Sequence, residues 1–339
     1  MRIAVIAPPW VPVPPPLYGG IEVVVDRLAV GFQRAGHEVL LFTTGDSTCP
    51  VPRAWALEVS EGQRIGMAVP ELRHVMHAYE TVRDFDIVHD HTVMGPVYAE
   101  HVTTQPVVTT IHGPFNTELT EIYERIADRV PIIAISNAQH APVPHIPIAR
   151  VIHHGVDIAD FPIGAGSGGF GLFLGRMSPD KGAHRAVVAA NKAGVPLIMI
   201  GKMREAWEFE YFEEYVKPHL SDSVQYLGEV PHEQKVELLA DAKALLFPIR
   251  WNEPFGMVMI EAMACGTPVI AYPEGAAPEV VDNGRTGLLV NSEDEMADAL
   301  GRIDEIDRAG CRAAVEGYFS TDRMVAEHVA LFEDILAAR

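Results

Sequence analysis

The chain has 339 residues, 48% of them hydrophobic and 21% charged, which suits about two globular domains with ordinary cores. It carries 26 basic and 46 acidic residues, a formal net charge of −20, and has no lysine before Lys181, so no stretch supplies the dense basic patch that nucleic acid or an anionic membrane calls for. Its three cysteines are odd in number and widely spaced, and no apolar run approaches the ~20 residues of a membrane span, so the sequence predicts a cytoplasmic protein without a disulfide framework, a zinc motif or strong membrane association.

Ile3 to Ala7 is short, apolar and ended by Pro8-Pro9, the pattern of a buried strand. A proline-rich loop runs from Pro8 to Pro16 and ends in Tyr18-Gly19-Gly20. Apolar residues then recur at Ile21, Val24, Val25, Leu28, Ala29 and Phe32, a helical period closed by Gly36. Val39 to Thr43 is the next strand. Strand, loop, helix and strand in this order begin a doubly wound parallel sheet. Two glycines ahead of a helix also let backbone N–H groups approach an anion.

Further short strands are predicted at Ile87 to His89, Val107 to Ile111, Ile132 to Ile135 and Val151-Ile152. Asp84-Phe85-Asp86 resembles a DxD metal motif only on the surface, because Asp86 opens the first of these strands. His89-Asp90-His91 lies at one strand end, with His89 expected inside and Asp90 or His91 able to touch an acceptor. His112 follows the next strand and fits either a ligand hydroxyl or a structural loop. No His, Cys and carboxylate group has metal-ligand spacing, so no metal is expected.

Residues 161–169 contain Gly164-Ala-Gly-Ser-Gly-Gly169, which lacks a core pattern and reads as a flexible linker. The segment matches GxGxxG, yet its glycines precede a strand, whereas a dinucleotide fingerprint follows a strand and opens a helix. A second series of strands starts there: Gly171 to Leu174, Leu197 to Ile200, Val224 to Leu227, Ala244 to Phe247, Val269 to Ala271 and Gly287 to Val290. Asp322 to Ala338 reads as an amphipathic helix. The expected organisation is a first domain over 1–160, a linker over 161–169, a second domain over 170–319 and a helix over 320–339.

The second domain carries the most specific signals. Arg176 and Lys181 follow its first strand, where ligands of open parallel sheets bind, and both can face a diphosphate as its charge grows on leaving. Glu253-Pro-Phe-Gly-Met-Val-Met-Ile-Glu261 follows the Phe247 strand. If that span were wholly helical, its two glutamates would lie up to ~12 Å apart along the axis, with an anion site at the helix start between them. Hydroxyl, phosphate, hydroxyl is the order of groups in a sugar–diphosphate–ribose donor.

Gly19-Gly20, Asp86-Ile-Val-His89, Thr110-Ile-His112, Gly155-Val-Asp157, Gly175-Arg176…Lys181-Gly182, Glu253…Glu261 and Pro278-Glu-Val-Val…Thr286-Gly-Leu-Leu289 fall in one order. In this the chain resembles family 4 retaining glycosyltransferases over almost its whole length. The resemblance implies the GT-B fold: α/β, two Rossmann-like doubly wound domains facing across a cleft that closes on the donor, with the 320–339 helix crossing back to the first domain. It implies that Glu261 holds the donor ribose and Glu253 the transferred sugar. It gives Phe255, Gly256 and Met257 backbone contacts to sugar and diphosphate, assigns Arg176 and Lys181 to the diphosphate with Gly19 and Gly20, and places His112 on the sugar. Arg176, Lys181, Glu253 and His112 are the expected catalytic set, and Tyr18, Asp90 and His91 the candidates for the acceptor. Two departures stand out: His153-His154 replaces an Asn before Gly-Val-Asp, and Gly201-Lys202-Met203 lacks a second glycine.

The implied reaction is a metal-independent, front-face transfer of a hexose, with no cofactor, from a nucleotide diphosphate sugar to a hydroxyl, and the expected donor and acceptor are a UDP-sugar, in preference to a GDP- or ADP-sugar, and a small molecule. A nucleotide-sugar epimerase and a non-catalytic nucleotide-sugar-binding protein on the same scaffold are the alternatives.

Overall fold

A computed structural model describes residues 1–17 and 19–339. The chain divides into two compact units, Met1–Gly155 with Thr321–Arg339, and Val156–Ser320.

The first unit is built on a seven-stranded parallel sheet: β1 (Arg2–Ile6), β2 (Glu38–Thr43), β3 (Arg53–Trp55), β4 (Ile87–Asp90), β5 (Val107–Thr110), β6 (Ile132–Ala134) and β7 (Arg150–Val151), in the order β3-β2-β1-β4-β5-β6-β7. Of these, β3 escaped the sequence reading. Arg-Ala-Trp alternates too briefly for a pattern, and only its pairing with Leu41 to Thr43 makes it a strand. The connecting helices are α1 (Gly20–Arg34), α2 (Ala68–Thr81), α3 (Met94–Val102), α4 (Thr117–Ile126) and α5 (Asn137–His140). On one face Ala4, Ile6, Phe42, Val88 and Val107 pack against Val75, Ala78 and Tyr79 of α2. On the other, α1 meets the C-terminal helix (Thr321–Ala337), with Phe32 against Phe332 at 5.5 Å between ring centroids.

The second unit repeats the plan with six parallel strands: β8 (Gly171–Leu174), β9 (Leu197–Ile200), β10 (Val224–Tyr226), β11 (Ala244–Phe247), β12 (Val269–Ala271) and β13 (Gly287–Leu289), ordered β10-β9-β8-β11-β12-β13. Its helices are α6 (Ala183–Ala193), α7 (Ala206–Tyr211), α8 (His232–Asp241), α9 (Met257–Ala264), α10 (Ala277–Val280), α11 (Glu293–Arg302) and α12 (Arg308–Tyr318). All these strands are parallel, and the inner ones are covered on both faces, so they read as unbroken apolar runs such as Leu197–Ile200 and Ala244–Phe247. In each sheet the strand order reverses once, between β1 and β4 and between β8 and β11. Open parallel sheets bind their ligands at the carboxyl ends of the strands beside such a reversal.

The segment 161–169 is not a free linker. It belongs to the second unit, where the backbone N–H groups of Gly164, Gly166 and Gly168 donate to the carbonyls of Cys265, Ala240 and Asp241. Arg308 Nε donates to the Gly164 carbonyl at 2.9 Å. The glycines allow this close docking: a Cβ on Gly164 would lie 2.0 Å from the Ala240 carbonyl oxygen. The sequence showed the lack of side chains but not the backbone groups that would pair with it.

Candidate functional site

The second unit assembles its site at the β8/β11 reversal. Arg176 follows β8, and its guanidinium bonds Glu208 at 3.1 Å and lies 3.6 Å from Asp180. Glu208 is almost fully buried because it caps its own helix start, accepting from the backbone N–H of Arg204 at 2.6 Å and Glu205 at 3.1 Å. Arg176 is therefore held in one orientation. Lys181, five residues on, pairs with Glu253 and sits 4.5 Å from the centre of the Trp251 ring. Trp251 Nε1 donates to the same Glu253 oxygen at 2.7 Å.

The 253–261 span is not wholly helical, so the axial separation expected for one helix does not apply. Pro254 and Gly256, the latter left-handed with φ of +84°, keep the chain out of the helix until α9 starts at Met257. Glu253 thus stands on the loop ahead of the helix. Phe255 is buried and packs on Phe319 at 6.2 Å, so only its backbone can meet a ligand. Gly256 and Met257 form the helix start, which offers backbone N–H groups to an anion. Glu261, one turn further, is 5% exposed, and both its oxygens accept from Lys235 Nζ at 3.0 Å.

Two glycines fix these loops. A Cβ on Gly275 (φ +54°) would lie 2.3 Å from the Glu253 backbone nitrogen, and one on Gly201 would lie 1.8 Å from the Gly175 carbonyl oxygen, next to Arg176.

Sequence reasoning missed Lys235, Trp251, Glu208 and Asp180. Trp251 lies two residues from Glu253 and could have been noticed. Lys235 and Glu208 are brought in from other strand–helix connections and leave no local signal. A cavity of about 590 Å³ bordered by Glu279, Asp282, Arg285, Thr286 and Tyr318 contains none of the site residues.

In the first unit, Gly19 precedes α1 and Gly20 begins it, with the buried Glu22 carboxylate beside Gly19. Tyr18 lies outside the described residues. Asp90 is not an acceptor contact. It is fully buried, with one oxygen accepting from Tyr79 Oη at 2.7 Å and the other from the backbone and hydroxyl of Thr92 at 2.8 and 2.7 Å. Burial pushes its carboxyl up to about 6. Its role is to fix the turn after β4.

His91 is also buried and turns inward, its Nδ1 2.8 Å from Nε2 of His112. These two belong to a run of imidazoles. From His328 to His89, His91, His112 and His154 the successive centroids lie 5.1, 4.1, 5.1 and 5.4 Å apart. Four of the five are buried and His112 is half-buried, its ring packed between those of His91 and His154. Burial lowers its pKa to about 3, so it is neutral at physiological pH and can serve as a hydrogen-bond partner, not as a cation. His154, one of the two residues departing from the family pattern, completes the run.

Among the described residues no three His, Cys, Asp or Glu side chains are grouped to hold a metal ion. No helix among them is long and apolar enough to cross a membrane.

Two doubly wound parallel sheets, with cations, a helix start and two glutamates at one strand-order reversal, define a nucleotide-sugar-dependent glycosyltransferase of the GT-B class. Comparison with known proteins agrees. Residues 166–308 match the model of Glycosyl transferases group 1, and residues 18–160 that of Glycosyltransferase Family 4. The chain belongs to glycosyltransferase family 4 and is a retaining enzyme using a nucleotide sugar. It is 28% identical to a phosphatidyl-myo-inositol mannosyltransferase of Mycolicibacterium smegmatis, over 97% of this chain and 88% of that one. The crystal structure of AviGT4, a glycosyltransferase involved in avilamycin A biosynthesis, matches with a TM-score of 0.77 and 26% identity, covering 100% of this chain and 98% of that chain. Anabaena HepE, solved in complex with UDP-glucose, shares the fold with a TM-score of 0.79 at 20% identity, with both chains fully covered.

Proposed function

We propose that the enzyme moves a hexose from a UDP-sugar to a hydroxyl of a small-molecule acceptor, without a divalent metal. The observation that carries this reading is the meeting of Arg176, Lys181, Glu253 and the α9 start at the β8/β11 reversal. An anion placed there faces two cations and free backbone N–H groups, which can offset a diphosphate's charge. Glu253 is then the group for the transferred sugar, and Glu261, one helical turn on, the group for the ribose.

Both cations are occupied by carboxylates in the free protein, Arg176 by Glu208 and Lys181 by Glu253. A donor diphosphate competes with these partners. The competition strengthens as the phosphate gains charge on leaving, so it favours the transition state over the ground state. A front-face path fits, since the departing phosphate can take the acceptor's proton while the sugar keeps its anomeric configuration. Gly19, Gly20 and His112 keep the roles the family resemblance implies. His91 is assigned to holding His112, not to the acceptor. The likeness to HepE, solved with UDP-glucose, supports the choice of UDP.

Calorimetric titration of UDP-, GDP-, ADP- and TDP-hexoses tests the donor. Tightest binding of a UDP-sugar, unchanged by EDTA, is the expected result. Turnover that vanishes with EDTA and returns with manganese contradicts the metal-independent reading, and preference for another nucleotide contradicts UDP. Transfer to lipid but not to soluble hydroxyl acceptors overturns the acceptor class.

A further inference from the structure

We propose that Lys235 is a positioning residue for nucleotide recognition: it fixes the Glu261 carboxylate so that both oxygens face the two vicinal hydroxyls of the donor ribose. The inference rests on the reading that Glu261 binds the ribose.

The geometry is specific. Lys235 Nζ stands 3.0 Å from each Glu261 oxygen, so one ammonium group straddles the carboxylate symmetrically. A carboxylate has about four lone-pair sites, and this arrangement uses one on each oxygen. One acceptor site on each oxygen stays open, the number a cis-diol needs. A carboxylate free to turn about its last torsion would present that pair of acceptors only part of the time. Fixing it beforehand removes an ordering cost from binding.

The placement is equally specific. Lys235 is the fourth residue of α8, which starts at the carboxyl end of β10, and Glu261 is the fifth residue of α9, which starts at the carboxyl end of β11. Both are therefore near the sheet edge where the site lies. The chain has six lysines, all between Lys181 and Lys243, and this one lies on a glutamate side chain only 7% exposed. A carboxylate so far from water needs a charged or hydrogen-bonding partner. The Lys235 ammonium also stands 6.0 Å from the centre of the Phe161 ring, at the outer reach of a cation–π contact.

A purely structural staple between α8 and α9 would show the same contacts, so the test must read ribose hydroxyls. Binding of UDP and of 2′,3′-dideoxy-UDP is measured by calorimetry for the wild type, Lys235→Met, Lys235→Gln, Lys235→Arg and Glu261→Gln, with the ADP and GDP pairs run in parallel. The expected result is a tenfold or greater loss of UDP affinity in Lys235→Met, with dideoxy-UDP affinity within about twofold of the wild type's. Lys235→Gln, which keeps a donor to the carboxylate and folds more readily, should fall between, and Lys235→Arg should recover most of the loss. At saturating donor, turnover of Lys235→Met should stay within a few-fold, so the defect appears in KM and not in kcat.

Equal losses for UDP and dideoxy-UDP in Lys235→Met, or no loss at all, overturn the proposal while leaving Glu261 as the ribose ligand, provided Glu261→Gln weakens UDP and leaves dideoxy-UDP near the wild-type affinity. If Glu261→Gln weakens UDP and dideoxy-UDP equally, or neither, the ribose reading of Glu261 falls, and the Lys235 role with it.

Discussion

Arg176 and Lys181 are neither free cations nor inert ion pairs. Each is held by a carboxylate that the donor must rival, and that arrangement decides what their removal does. Arg176→Ala should lower kcat roughly a hundredfold with a smaller change in donor affinity, because the lost interaction grows with charge on the leaving phosphate. A donor KM that rises while kcat stays intact would remove Arg176 from that role. Glu208 keeps two backbone N–H partners in that variant, so the fold should survive. Glu261→Ala should act in the opposite sense, weakening nucleotide binding with kcat at saturation little changed. Titration with the bare nucleotide diphosphate checks this directly. Trp251→Phe keeps the ring beneath Lys181 but removes the Nε1–H that steadies Glu253. A loss of a few-fold in kcat/KM is expected, and activity equal to the wild type's would mean that Lys181 alone suffices to hold Glu253.

At the scale of elements, the site depends on the carboxyl ends of strands and on loops pressed together without side chains. Gly275 is the clearest case, since its Cα stands where any Cβ would meet the backbone of Glu253. Gly275→Ala should therefore cost stability and also move Glu253. Gly194, which ends α6 with φ of +66°, has open space around its missing Cβ, so Gly194→Ala carries only the left-handed backbone penalty of about 1–2 kcal/mol. Thermal melts and kcat/KM for the pair separate the effects. Both variants should melt lower, but only Gly275→Ala should lose most of its activity. Equal activity in the two would show that Glu253 tolerates displacement.

For the molecule as a whole, the buried histidines make a prediction about pH. Burial holds His89, His91 and His154 well below the ordinary value of 6.5, and His74 and His328 at about 4. All belong to the first unit. Below pH 6.5 the unfolded chain takes up protons on them that the folded chain refuses, so stability falls as pH drops from 6.5 towards 4. Asp90, raised to about 6, and Glu71, also raised, act the other way, because the folded state then binds the extra proton. With His112, held at about 3, six such histidines outweigh two carboxylates. Each histidine contributes a slope of at most about 1.4 kcal/mol per pH unit in that window. Urea unfolding between pH 7.5 and 4.5 should show the loss in the first unit's transition. His328→Met, in an apolar setting beside Phe32 and Phe332, should flatten it by about one such slope. A stability that does not change between pH 7 and 5 would show that these imidazoles are not held neutral.

The sequence by itself determined the architecture and the chemistry at each strand end. Twelve of the thirteen strands among the described residues were legible because strands buried in a parallel sheet are short apolar runs, and because parallel connections insert a helix between most of them. Arg176, Lys181, Glu253 and Glu261 were legible because they lie in continuous motifs next to those strands. What only the tertiary structure decided is who holds them. Glu208, Trp251 and Lys235 position the site residues, Asp90 and His91 turn inward, and 161–169 docks onto its own unit. Side-chain pairing between separate strand–helix connections depends on distances that close only when the sheet forms. A glycine run looks the same in sequence whether its backbone meets water or, like Gly164, a neighbouring carbonyl.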